Sequence, residues 1–230
     1  SDAASAPIVS SGRAAGLLCK LWDRHYGRIP DFLILEGPEA GGHLGFSRQD
    51  LDAPPSLSDL LREVLTAIAP FRDKAGRDIP VFVAGGVKNG ADMARYMKEG
   101  AAGAQFATRF IATAECDASE GYKQRLLAAK VDDITLVKSP VGMPGRALRS
   151  PLIRRVEDGT QPPPERCVKC IVTCDGKNAP YCISKALIAA RNGDWENGLF
   201  FCGAAGGEVN TLSTVPEQMA QIMDEWRAAQ

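Results

Sequence analysis

Histidine is scarce: the 230 residues contain two, His25 and His43. Any imidazole chemistry at neutral pH therefore has two candidates. No apolar run approaches the roughly 18 residues of a membrane span, which leaves no membrane partner. A formal net charge of −1 gives no electrostatic case for nucleic acid or an anionic lipid surface. The first residues, 1–6, are small and polar and lack the basic and apolar regions of a signal peptide. They read as a cut inside a longer chain or as an added remnant. Seven cysteines is an odd number, and the chain lacks the look of a small disulfide scaffold. A reduced, cytoplasmic setting is the expectation. No repeat is visible beyond a recurring βα unit. What is present is ordinary for a globular protein: 45% hydrophobic and 24% charged residues, enough for one sizeable domain or two small ones.

The order of elements is legible. Residues 7–10 read as a short strand, and residues 12–26 as a helix with apolar positions at 14, 17, 18, 21, 22 and 25 or 26. Gly27 fits its C-terminal cap. Residues 32–36 form the next strand. After Pro54-Pro55, Ser56 and Asp59 give an S-x-x-D helix start, with Leu57, Leu60, Leu61, Val64, Leu65 and Ile68 on one face. Residues 81–84 are a third strand, 91–99 a helix ending at Gly100, and 104–107 a fourth strand. This alternation predicts an α/β fold with four parallel strands, adjacent in chain order, joined by crossover helices. Strands apolar without alternation predict cover on both faces. Prolines and a glycine in 158–164 mark a boundary, giving expected domains 1–157 and 158–230. The tail is expected to carry helices near 181–191 and 215–228, the latter opened by a Thr214-Val-Pro-Glu217 capping box.

The chemistry concentrates in Glu36-Gly-Pro-Glu-Ala-Gly-Gly-His-Leu-Gly45, directly after an apolar strand. Four glycines permit close backbone approach and positive φ, and so bring N–H groups and the His43 imidazole near a flat or anionic ligand. A strand ending in such a loop is the usual seat of function in α/β proteins. His43 can take a proton at neutral pH, or it can be a loop histidine that merely bonds the backbone. His25 lies on a helix without acidic or cysteine neighbours at i+3 or i+4 and reads as packing or surface. Glu36 and Glu39 can be read as a paired acid and base, or as ordinary strand-end carboxylates. Gly85-Gly86 ends one strand, and Gln105 to Thr108 ends the next. Adjacent strand ends of this kind can cradle a phosphate. Lys88 reads as a solvated charge. The run Ser139-Pro-Val-Gly-Met-Pro-Gly-Arg146 reads as a mobile loop or an ordinary surface connection.

Cys167, Cys170, Cys174 and Cys182 could hold zinc or an iron–sulfur cluster. Their spacing departs from the paired Cys-x2-Cys pattern, and no histidine lies nearby. The preferred reading is reduced structural thiols, with no metal. Cys19, Cys116 and Cys202 read as plain apolar positions.

Three segments in order, Glu36 to Gly45, Ile79-Pro-Val-Phe-Val-Ala-Gly-Gly-Val87 and Gly103-Ala-Gln-Phe-Ala-Thr-Arg-Phe110, resemble the nitronate monooxygenases, once called 2-nitropropane dioxygenases. Their relatives are the flavin-dependent enoyl-acyl-carrier-protein reductases. The resemblance implies an FMN-type (β/α)8 TIM barrel, of which this chain covers the fifth to eighth βα units plus a helical tail. It implies FMN held by Glu36, Gly41, Gly42, Gly85, Gly86, Gln105, Phe106, Ala107 and Thr108, with Glu36 a hydrogen-bond partner near the flavin. Ala107 stands where the family usually has glycine. The resemblance makes His43 the base or the group that positions the substrate, and lays residues 139–146 near the active-site mouth. The implied reaction is oxidation of an alkyl nitronate with O2 to a carbonyl compound and nitrite. The alternatives are an NAD(P)H-dependent enoyl-thioester reductase and a non-catalytic half-barrel. The expected partner is a small-molecule substrate, with a homodimer open to the chain.

Overall fold

A computed structural model describes residues 3–172 and 174–230. Ser1 and Asp2 of the polar N-terminal stretch, and Thr173 between two of the clustered cysteines, lie outside the described residues. The elements in chain order begin with β1 (Ile8–Val9), α1 (Gly12–Tyr26), β2 (Leu33–Glu36), β3 (Gly42–His43) and α2 (Leu57–Ala75). Next come β4 (Val81–Ala84), α3 (Gly90–Lys98), β5 (Gly103–Ala104), α4 (Thr108–Ile111) and α5 (Glu120–Ala128). The rest are β6 (Ile134–Lys138), β7 (Pro144–Leu148), α6 (Pro151–Glu157), α7 (Ile183–Arg191) and α8 (Val215–Ala228). The chain divides into two compact units. The first takes in the chain up to Pro38, with Gln49–Phe106 and Met219–Gln230. The second is Glu39–Arg48 with Ala107–Gln218.

The first unit is a parallel sheet in the order β1-β2-β4-β5, the adjacency the βα alternation predicts. The last strand is shorter and earlier than the expected 104–107: it pairs only at Gly103 and Ala104. Leu33, Leu35, Val81 and Val83 are buried, while Ile34, Glu36, Phe82 and Ala84 between them are only half-buried. The expectation of cover on both faces is thus corrected. One face packs under helices; the other carries Phe32 and Phe82 edge to face, centroids 5.5 Å apart.

Local signals set the helices of this unit. Ser11 caps α1 by accepting from the Ala14 N–H at 3.1 Å, and Gly27 closes it at φ 60°. Ser56 caps α2 by accepting from the Asp59 N–H, also at 3.1 Å. Asn89 caps α3 in the same way, accepting from the Asp92 N–H at 2.9 Å. The buried face of α2 is Leu57, Leu60, Leu61, Val64 and Ile68, with Leu65 half-buried beside them.

The predicted apolar stripe of α1 needs correction. Its buried residues are Gly12, Ala15 and Cys19, whereas Leu17, Leu21 and Tyr26 are exposed. The reason is close packing. A methyl group on Gly12 would stand 2.7 Å from the Glu63 carbonyl oxygen, so α1 presents its small residues, not its large ones, to α2.

The second unit holds an antiparallel sheet in the order β3-β7-β6, which the sequence reading did not foresee. Residues 144–148, partly assigned to a breaker-rich loop, are its central strand. Gly145 packs closely there: a side chain would stand 3.1–3.2 Å from the Gly42 carbonyl, Phe201 and Val137. Two apolar clusters stabilise the unit. One gathers Val137, Ala147, Leu152, Ile153, Tyr181 and Leu199. The other gathers Leu126, Leu148, Phe200 and Cys202. Each fully buried Leu, Ile or Phe contributes about 1.5–3 kcal/mol. The capping box of α8 forms as expected: the Thr214 N–H donates to Glu217 Oε2 at 2.7 Å, and the Glu217 N–H to Thr214 Oγ1 at 3.4 Å. Among the described residues no helix is long and apolar enough to cross a membrane.

Candidate active site

In the first unit, the ends of three neighbouring parallel strands gather five of the predicted residues. Glu36 ends β2, Gly85 and Gly86 follow β4, and Gln105 and Phe106 follow β5. The Gly37 N–H donates to the Ala84 carbonyl at 2.8 Å, and the Gln105 N–H to the Val83 carbonyl at 2.8 Å, so the pairing persists to the strand ends. Ser10 Oγ donates to Glu36 Oε2 at 3.3 Å, adding the end of β1 to the same edge. Gly85 and Gly86 have φ 65° and 137°. Two consecutive residues at positive φ admit only glycine at low cost, and they leave the strand end without side chains. A backbone surface of this kind can approach a phosphate or a flat ring.

In the second unit, His43 sits in β3 opposite Gly145 of β7. Its Nε2 lies 2.7 Å from Ser139 Oγ, across 96 positions of sequence. Ser139 is buried and also receives the Val141 N–H at 3.4 Å. The ring of Phe201 meets the imidazole edge to face at 5.1 Å. Burial holds the His43 pKa below its ordinary 6.5, so the imidazole is neutral at pH 7. Among the described residues Nδ1 makes no hydrogen bond. The pair can therefore hold a ring with one nitrogen tied and the other ready to accept a proton.

The loop carrying His43 is fastened by backbone contacts. Arg146 donates to the Ala40 carbonyl at 2.9 Å, and the Ala204 N–H donates to the Glu39 carbonyl at 3.0 Å. Burial pulls the Arg146 pKa down; the nearby Glu39 carboxylate opposes that shift. A side chain on Gly41 would collide with the backbone of Cys202 and Gly203, and the Gly203 N–H donates to Thr108 Oγ1 at 2.9 Å. Gly41 and Thr108 thus meet on one glycine. Gly42 has φ 78° with open space beyond it. Ala107 precedes the single turn of α4.

Sequence reasoning passed over Ser139, Phe201 and Ser10. Ser139 had one usable signal: it opens the breaker-rich run that the resemblance lays near the active-site mouth. Cys19 and Cys202 are buried, Cys116, Cys174 and Cys182 are half-buried, and Cys167 and Cys170 are exposed; all seven are free thiols.

A parallel βα sheet with glycines and a carboxylate at its strand ends defines an α/β fold, and its structural neighbours are of the TIM-barrel flavoenzyme type. The nitronate monooxygenase family model matches residues 1–225, and the chain belongs to that family of oxidoreductases. It is 35% identical over 131 residues to a Mycobacterium tuberculosis protein, (3aS,4S,5R,7aS)-5-hydroxy-7a-methyl-1-oxo-octahydro-1H-indene-4-carboxyl-CoA dehydrogenase, covering 57% of this chain and 33% of that protein. A nitronate monooxygenase of Paraburkholderia phytofirmans is 28% identical over 197 residues, which is 85% of this chain and 49% of the relative. Among solved structures, FabK from Thermotoga maritima superposes with a TM-score of 0.72 at 25% identity, over 98% of this chain and 61% of that one. Nitroalkane oxidase from Streptomyces ansochromogenes shares the fold with a TM-score of 0.71 at 24% identity, over 98% of this chain and 58% of that one. The chain spans a third to a half of the length of these curated relatives.

Proposed function

We propose that this chain forms the fifth to eighth βα units and C-terminal tail of an FMN-dependent oxidoreductase that oxidises alkyl nitronates with O2 to a carbonyl compound and nitrite. The observation that carries the reading is His43: a neutral imidazole with Nε2 bonded to buried Ser139 and Nδ1 left for a substrate proton, on the loop that bears the family motif. The glycines at the end of β4, without side chains and at positive φ, suit a phosphate-bearing flavin. By the family motifs, Glu36, Gly41, Gly42, Gly85, Gly86, Gln105, Phe106, Ala107 and Thr108 are the residues that would hold it. When bound, the flavin supplies the redox chemistry.

The chain's own part is proton handling and positioning. In the tautomer whose Nε2–H donates to Ser139 Oγ, the Nδ1 lone pair takes the α-proton of a neutral nitroalkane. The resulting imidazolium keeps its Nε2–H on the hydroxyl. A preformed nitronate has already lost that proton and asks only to be oriented. We place the protein in the cytoplasm, acting on a small molecule.

A second reading has a specific support: one relative is named as a carboxyl-CoA dehydrogenase, and FabK shares the fold. It is reduction of an enoyl thioester with NAD(P)H. The test uses a protein carrying all eight βα units. Nitronate-dependent oxygen uptake should exceed NAD(P)H-dependent thioester reduction; the reverse assigns the second reading, and neither activity leaves a non-catalytic module. His43→Ala should slow turnover of neutral nitroalkane by about 10²–10⁴-fold more than turnover of nitronate. Equal loss on both substrates would reduce His43 to a positioning residue.

A further inference from the structure

Four of the seven cysteines fall within residues 167–182, in a segment that the flavin chemistry does not use. Cysteine is among the most buried residue types, yet Cys167 and Cys170 are exposed and Cys174 and Cys182 only half-buried. All four line one small cavity of about 20 Å³, with Ile171, Tyr181 and Ile183 among its other lining residues. The surrounding backbone is shaped to bring sulfur inward. Lys169, between the first two cysteines, is the one described non-glycine residue at positive φ, 53°. That turn directs its N–H onto Cys167 Sγ at 3.4 Å. Backbone strain of this kind costs on the order of 1–3 kcal/mol and persists where the surroundings demand it. Gly176 has no room for a side chain because Cys167 Sγ occupies the space. Cys182 stands at the N-cap of the nine-residue α7. Cys170 Sγ lies 3.5 Å from Ser184 Oγ in the first turn of that helix.

We infer that Cys167, Cys170, Cys174 and Cys182 form a structural tetrathiolate site for a single zinc ion, fastening the 164–182 segment to the start of α7. A cavity of about 20 Å³ exceeds the roughly 10–15 Å³ that one small occupant needs and is too small for a multi-iron cluster. Four protein ligands with no open position are the mark of a structural, not a catalytic, zinc. Among the described residues no three such side chains already stand in metal-holding geometry. Binding would therefore draw the sulfurs to about 3.8 Å from one another, the edge of a tetrahedron with 2.3 Å Zn–S bonds, and release the thiol protons. The Lys169 N–H and Ser184 hydroxyl already supply outer hydrogen bonds of the sort that orient metal ligands.

The test is metal analysis of the full chain purified without chelator, followed by titration of the metal-free protein with Co²⁺. One zinc per chain is expected. Cobalt should give a thiolate charge-transfer band and the visible bands of a tetrahedral site. The double variant Cys167→Ser/Cys170→Ser should bind at least about 100-fold more weakly, beyond the 10–100-fold that loss of an outer partner costs. Cys116→Ser, outside the cluster, should bind normally. Should the double variant fail to fold, the cobalt spectrum of the unaltered chain decides by itself. Absence of zinc together with absence of the charge-transfer band overturns the site. So do iron with acid-labile sulfide, or a disulfide among the four cysteines in the freshly purified protein.

Discussion

Replacing Ser139 by Ala isolates the hydroxyl that holds His43. The Oγ lies 2.7 Å from Nε2, and among the described residues nothing else bonds that nitrogen. To a neutral imidazole the bond contributes about 1 kcal/mol net; to the imidazolium, where it is charge-assisted, about 2 kcal/mol. The difference, about 1 kcal/mol, is lost from the protonated form. Proton abstraction by His43 should then slow about fivefold in an eight-unit protein, with turnover of preformed nitronate unchanged. A second readout needs no substrate. The chain has only two histidines, so the imidazole C–H resonances of His43 and the exposed His25 can be followed by NMR, with His43→Ala making the assignment. Burial already lowers the His43 pKa from 6.5, and Ser139→Ala should lower its midpoint further. The sign for stability follows. Between about pH 6.5 and the lower folded value the unfolded chain binds the extra proton. The contribution is therefore present above pH 6.5 and is lost as pH falls through that window, more so in the variant. A His43 midpoint that stays or rises in Ser139→Ala would refute the assignment of Ser139 as the group that stabilises the charged ring.

Other perturbations probe the frame. Gly90→Ala should lower stability by about 1–3 kcal/mol, seen as a reduced melting temperature, because a methyl there collides with the Ile222 carbonyl and the Trp226 backbone nitrogen. Gly42→Ala meets open space but is held at φ 78°, so a loss of about 1–2 kcal/mol in denaturant titration would come from backbone conformation alone. Ser11→Ala removes the hydroxyl that caps α1 and should cost about 1 kcal/mol by the same titration. On the reading that this chain supplies four of eight βα units, FMN should be retained weakly or not at all by it alone; a stoichiometric yellow flavin surviving gel filtration of a monomer would contradict that placement.

Short-range chemistry is what the sequence determined without help. Ser11 and Gly27 bracket α1, Ser56 and Asp59 open α2, and Thr214 and Glu217 open α8, because each cap is satisfied within three or four residues. The four parallel strands were legible for a related reason. Apolar runs alternating with amphipathic helices have few ways to bury their surfaces, and the sheet order β1-β2-β4-β5 follows from adjacency. Tertiary structure alone decided which face of α1 is buried, since close approach at Gly12 outweighs the bulk of Leu17 and Leu21. It alone made a sheet of β3, β7 and β6. A two-residue strand at Gly42–His43 carries no periodicity, and its partner at 144–148 contains the proline and glycine that signal a turn. The bond between His43 and Ser139 belongs to the same class. Local pattern defines the loop that holds the histidine, but the hydroxyl that orients it arrives from 96 positions away, through a pairing that only the folded chain can specify.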